Sequence, residues 1–177
     1  NVATASSCTL DPCLLPLIIT EVHADGLVDP DGEWIELTND GTVAVDLSPW
    51  SFGDQPTASA AAEGMIRFDA GRTLAPGARI VLANSGARFA TDFGAAPDYE
   101  YGVDSASTAP YLHRTSDFAP NTNIQLDNGE DQVVLACGGA VRDILRWGAA
   151  TLDDRLTVPA PTAEEAQVVQ AEIAPQA

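Results

Sequence analysis

The run Gly32 to Gly41 constrains the fold more than any other stretch of the chain. Glu33, Ile35, Leu37 and Asn39 fall on one side of it, and Trp34, Glu36 and Thr38 on the other, at the two-residue period of a pleated strand. Neither side is purely apolar, and the stretch reads as one built to fold, with no chemical motif in it. An Asn39-Asp40-Gly41 turn follows, and Val43 to Leu47 reads as a second strand placed to pair locally with the first.

The same signature of short β-rich runs bounded by turn residues recurs along the sequence. Leu17 to His23 is a strand closed by Ala24-Asp25-Gly26, and Trp50 and Phe52 share one side of a short strand, both facing the core. Residues 55–64 read as a loop, Met65 to Phe68 as a strand, and Leu74 to Gly77 as a turn into the nearly continuous apolar run Arg79 to Asn84. Phe89 and Phe93, four apart, suggest one helical turn over 88–93. Residues 94–123 form a long insertion loop holding Tyr99, Tyr101 and Tyr111. Regular structure resumes at Ile124 to Asp127 and continues through Gln132 to Cys137, with Gly138-Gly139 as a hairpin into Val141 to Trp147. With no convincing long amphipathic helix, the pattern predicts an all-β, immunoglobulin-like antiparallel β-sandwich of Greek-key type.

The organisation expected is an N-terminal extension (1–16), one sandwich (17–148) and a C-terminal extension (149–177). In the last of these, Thr162 to Glu165 matches a capping box, which suits a helix over 163–172, while the flanking prolines suit an extended segment equally well. The longest apolar cluster, Leu14 to Ile19, is far too short to span a bilayer. Asn1 follows no signal-peptide pattern, as expected of a mature secreted product or of a chain trimmed at a chosen boundary.

Charge excludes one class of partner. Twenty-six Asp and Glu against eight Arg and no Lys give a formal net charge of −18, a field that repels nucleic acid and anionic membranes. Such acidity suits calcium, a basic partner or a salty environment.

Cys8, Cys13 and Cys137 are an odd set, so one thiol is left over or pairs with another chain. Cys8 and Cys13 enclose a turn-like spacer that would close a small disulfide ring. Cys137 reads either as an inert buried thiol or as a crosslink. Cysteine usage favours an oxidising, extracellular or cell-surface location.

Five blocks in order, Ile18 to Val22, Gly32 to Asn39, Val45 to Asp54, Leu74 to Leu82 and Leu126 to Leu135, resemble the lamin-tail domain in its bacterial extracellular branch. The resemblance covers residues 17–148 and implies an immunoglobulin-like sandwich that serves as a non-catalytic module. It departs from the family in the length of the 94–123 segment, and no heptad rod precedes it.

Among candidate sites, Asp25, Asp29, Asp31 and Glu33 crowd one loop with hard oxygen ligands of the kind calcium takes, although their spacing is not that of an EF-hand. Asp127, Asn128, Glu130 and Asp131 form a second, weaker set. No cofactor is required on this reading; calcium is a candidate for these acids, and a solvated turn whose Asp and Gly residues simply suit the backbone is the plainer alternative. His23 and His113 stand in no nucleophile or zinc pattern, and Glu33 and Glu36 lie on opposite strand faces. The tyrosines of the insertion suit packing onto the sandwich better than a sugar- or protein-binding surface.

The function expected is a secreted structural subunit that binds copies of itself. One terminus would complete the open sheet edge of a neighbour, through Leu14, Leu15 and Leu17 or through Val168, Val169 and Ile173, and propagate into a filament. The alternative is a targeting or ligand-binding module cut from a larger secreted protein, which binds other surface proteins, glycans or matrix.

Overall fold

The computed structural model describes residues 11–54, 64–115 and 124–148. After a short 3-10 turn at Pro12–Leu14, the strands are β1 (Leu17–His23), β2 (Trp34–Asn39), β3 (Val45–Asp46), β4 (Trp50–Gly53), β5 (Met65–Arg67), β6 (Thr73–Leu74) and β7 (Arg79–Ala83). Helix α1 (Gly86–Phe93) precedes β8 (Tyr99–Glu100), β9 (Arg114–Thr115), β10 (Asp131–Cys137) and β11 (Ala140–Trp147). One sheet runs β1-β2-β7-β8, the facing sheet runs β11-β10-β4-β5-β9, and β3 and β6 form a small third ribbon. This is the all-β, immunoglobulin-like sandwich that the alternation predicts.

The inward side of β2 carries Ile35 and Leu37, and these meet Phe52, Ile66, Val133 and Leu135 of the facing sheet, each no more than 1% exposed. Trp50 and Phe52 are both buried, as their shared side implies. Asn39, also on that side, is buried yet satisfied: its Nδ2 donates to the carbonyls of Val43 (2.8 Å), Leu74 (3.0 Å) and Ala75 (3.1 Å), and its Oδ1 accepts from the Gly41 N–H. That single amide ties β2 to the β3–β6 ribbon.

Several sequence expectations need correction. The 43–47 strand does not pair with 33–39; β3 pairs with β6, because β2 is already flanked by β1 and β7. The sandwich is not wholly antiparallel, since β8 lies parallel to β7. The insertion is not a bare loop: it contributes β8 and β9, and Tyr99 and Tyr101 sit in the core. Ile124 and Leu126 are buried without forming a strand. The helical turn begins earlier than the two Phe residues suggest, with the Ser85 side chain capping it by accepting from the Arg88 N–H and Gly94 ending it at φ 75°.

The cysteine ring is also corrected. Cys13 is bonded to Cys137, 124 positions away, with Cα atoms 5.4 Å apart. Cys8 lies outside the described residues, as do Val168, Val169, Ile173 and the whole 163–172 stretch. Leu14 is exposed, Leu15 is partly buried and Leu17 is 2% exposed in the domain's own core, so Leu17 is not available to a neighbour while β1 is formed.

The covalent link and the strand directions define two poles. Cys137 and Ala140 pair across the Gly138-Gly139 turn, whose φ angles of 58° and 82° are those of a tight hairpin that glycine alone adopts freely. β11 then runs to Trp147, opposite Asp131, at the other pole. The chain therefore enters the sandwich beside Cys137 and leaves it about 26 Å away, eight strand residues at ~3.3 Å each. Between these points β1 and β11 lie side by side, and the Ile19 N–H donates to Asp143 Oδ2 at 2.8 Å.

Candidate functional site

At the exit pole the two acidic turns of the sequence meet. The loop after β1 is pinched shut: Gly32 N–H donates to the Val28 carbonyl (2.7 Å) and Glu33 N–H to that of Pro30 (3.0 Å). Gly26 and Gly32 lie so close that a Cβ on Gly26 would come within 2.7 Å of the Gly32 Cα. Across from it, Asp127 Oδ1 accepts from the N–H groups of Gly129 (2.7 Å) and Glu130 (3.2 Å) in an Asx-type turn. Asn128 Nδ2 joins the loops by donating to Asp25 (3.3 Å) and Asp29 (3.5 Å). The result is an open cleft of about 620 Å³ lined by Asp29, Glu33, Asp127, Asn128, Glu130 and Asp131, with Gln125 and Leu126 as its floor.

The acids of this cleft are not equivalent. Glu33, 1% exposed, points into the sandwich, where Oε1 accepts from the Leu126 N–H (3.2 Å) and Oε2 from Asn84 Nδ2 (3.5 Å). Burial pushes its carboxyl up to about 9, and the neighbouring Asp29 adds to the rise while the Leu126 N–H opposes it. At neutral pH Glu33 thus holds a proton. Burial also raises Asp131, against N–H bonds from Asp127 (2.8 Å) and Gln132 (2.7 Å). Behind Glu33 the fully buried Tyr101 hydroxyl is held far above its ordinary range by burial, then by the carboxyls of Glu33 and Asp54. Asp54 itself accepts from the N–H groups of Gly64 (2.6 Å) and Gln125 (3.3 Å).

The structure therefore brings together Asp25, Asp29 and the 127–131 turn, which the sequence treats as separate sets, with Glu33 lining the same cleft while its carboxyl is bonded inward to Leu126 and Asn84. Among the described residues no group of three or more His, Cys, Asp or Glu side chains is placed to hold a metal ion. Asn84, Asp54 and Gln125 were missed; their signal is spatial, since Asn84 meets Glu33 51 positions away and Gln125 meets Asp54 71 positions away.

The histidines lie apart from this cleft. His23 stacks on Trp34 (5.8 Å between ring centroids), which Phe89 and Phe93 of α1 cover edge-on, and His113 meets the edge of Tyr111. Glu36 faces outward from β2 and pairs with Arg79 at 3.4 Å. A second buried acid, Glu100, accepts from the Gly86 N–H (2.8 Å), the Ser105 N–H (3.2 Å) and the hydroxyls of Ser105 and Ser107, tying α1 to the insertion.

The buried carboxyls of Glu33 and Glu100 thus brace the sandwich by accepting backbone N–H groups from segments distant in the chain. The sequence pattern of the Lamin Tail Domain matches residues 15–149. The chain belongs to the lamin-tail domain family. That family is a non-catalytic, immunoglobulin-like fold. In overall shape this lamin-tail domain is similar to a DUF4876 family protein from Bacteroides thetaiotaomicron, with a TM-score of 0.51 at 15% identity. The likeness covers 68% of this chain and 42% of that one, so the lamin-tail chain spans less than half the length of that structure. At that identity the likeness concerns the fold alone. No curated protein is similar to the chain. No helix among the described residues is long and apolar enough to cross a membrane.

Proposed function

We propose that this lamin-tail domain is a non-catalytic, extracellular structural module that joins copies of itself end to end. One observation carries the reading: the described chain begins beside the Cys13–Cys137 bond and ends beside Trp147, at opposite poles of the sandwich, so the two points of attachment for further segments are far apart. A segment from one copy laid on the sheet edge of the next repeats without closing, which is how heterologous contacts make filaments. With Leu17 committed to its own core, the donor falls to the C-terminal segment bearing Val168, Val169 and Ile173. The disulfide suits an oxidising location, and with Cys13 and Cys137 joined, Cys8 has no cysteine left in this sequence to pair with.

Sedimentation and electron microscopy on the full chain and on a variant ending at Gly148 test this. Concentration-dependent chains from the first and monomers from the second are expected. A full chain that stays monomeric at high concentration, with and without calcium, ends the proposal.

The acidic cleft favours a second reading, a binding module for a cationic ligand, with calcium or a basic group of a matrix or surface protein as the occupant. Calorimetric titration of calcium into chelator-treated protein separates the two. Heat that disappears in Asp29→Asn supports the second; no heat and no rise in melting temperature removes calcium from it.

A further inference from the structure

The disulfide decides what happens when the two ends of the chain are pulled apart. Tension arriving from the N-terminal side reaches Cys13, where the covalent path divides. One branch follows 124 positions of chain through both sheets; the other crosses a single bond to Cys137. From Cys137 the short branch continues through Gly138 and Gly139 into β11 and leaves at Gly148. Everything between the two cysteines hangs beside the loaded line as a closed loop.

The loaded line has little slack. A strand already rises about 3.3 Å per residue, close to the ~3.3–3.6 Å of a taut chain. Both of its ends are pinned as well. At the exit, Trp147 Nε1–H donates to the Asp127 carbonyl at 2.7 Å, and Gly148, at φ 68°, packs so tightly on the 129–130 turn that a Cβ would run into the Gly129 carbonyl oxygen. At the start, a Cβ on Gly138 would lie 3.6 Å from Cys13 Sγ, and the Gly138 N–H donates to the Pro49 carbonyl at 3.0 Å. The Asp143 carboxylate on Ile19 N–H holds the middle.

We infer that the domain is a tension-bearing link: Cys13–Cys137 and β11 carry the load, and the rest of the sandwich is shielded from mechanical unfolding. The inference rests on the end-to-end reading for its biological setting, since load requires both ends to be attached. The load path itself belongs to a single molecule.

The test is to tether the full chain by its two termini and stretch single molecules, first oxidised and then reduced. The reduced chain should show an additional release of about 410–450 Å of contour, the 124 sequestered positions at ~3.3–3.6 Å each. The oxidised chain should show less than a tenth of that beyond its terminal segments. Cys137→Ser should behave as the reduced protein. Should that variant fail to fold, reductant added to an oxidised molecule already held under load gives the same readout as a sudden lengthening. The long release from the oxidised chain would overturn the inference, as would peptide mapping that joins Cys13 to Cys8 instead of Cys137. Single tethered molecules report on the path whether or not the protein self-associates, so a monomer in sedimentation leaves this result standing.

Discussion

The carboxyl of Glu33 accepts a hydrogen bond at 3.2 Å from the backbone N–H of Leu126, 93 positions further along the chain. Below about pH 4.5 this group is protonated whether the chain is folded or not; between about 4.5 and 9 only the folded chain keeps the proton. Stability therefore falls as pH rises through that window, by up to ~1.4 kcal/mol per pH unit from this group, and levels off above it. Glu33→Gln copies the protonated shape and should flatten the slope. Urea unfolding from pH 5 to 9 measures it; parallel slopes for the two proteins would refute the assignment.

Joining Cys13 to Cys137 removes entropy from the unfolded chain in proportion to a large loop. For 124 positions the chain-entropy model gives a ceiling of ~5 kcal/mol. Reduction, or Cys137→Ser, should lower the unfolding free energy towards that amount and shift the denaturant midpoint with it. A midpoint that does not move on reduction would show that the bond is absent.

Asn39 faces three carbonyl oxygens with one amide. Asn39→Asp keeps the shape, removes every donor and brings a buried negative charge towards the same oxygens, an expected loss of roughly 3–5 kcal/mol. Asn39→Ala should cost less than Asn39→Asp, because it adds no charge. Chemical denaturation of the pair gives the ranking, and the reverse order would disprove the account.

Glu100→Ala removes the acceptor shared by Gly86, Ser105 and Ser107. Unsatisfied donors should loosen α1 and the following turn by about 1–3 kcal/mol while leaving the facing sheet intact. Hydrogen exchange reads this by region: faster amides in 86–93 and 105–107, unchanged amides in β10. Uniform acceleration would mean that Glu100 supports the whole fold rather than one corner.

Much of this architecture was legible from local pattern. Alternation located β2 and β4, β-branched composition β1, and nearly continuous apolar runs β7 and β10, and Gly138-Gly139 announced the hairpin because a tight primed turn needs two positive φ angles. The same alternation put Glu33 and Asn39 on the side of Ile35 and Leu37, which is where the structure buries them. A reading from the loop's composition alone groups Glu33 with Asp25, Asp29 and Asp31, while the periodicity carries its burial beside Ile35. What was not legible depends on partners far away in sequence. β8 and β9 are two residues each, too short to carry a period, and exist because β7 and β5 offer them edges. Three cysteines allow three pairings, and only the meeting of the β1 approach with the end of β10 selects Cys13 with Cys137. The cleft at the exit pole likewise arises from two turns that nothing in either one relates to the other.

The Asp143 carboxylate accepts the Ile19 N–H, a donor that β1 would otherwise turn towards any strand laid beside it. A strand laid against that point of the flank would first have to displace an acceptor that the domain itself supplies.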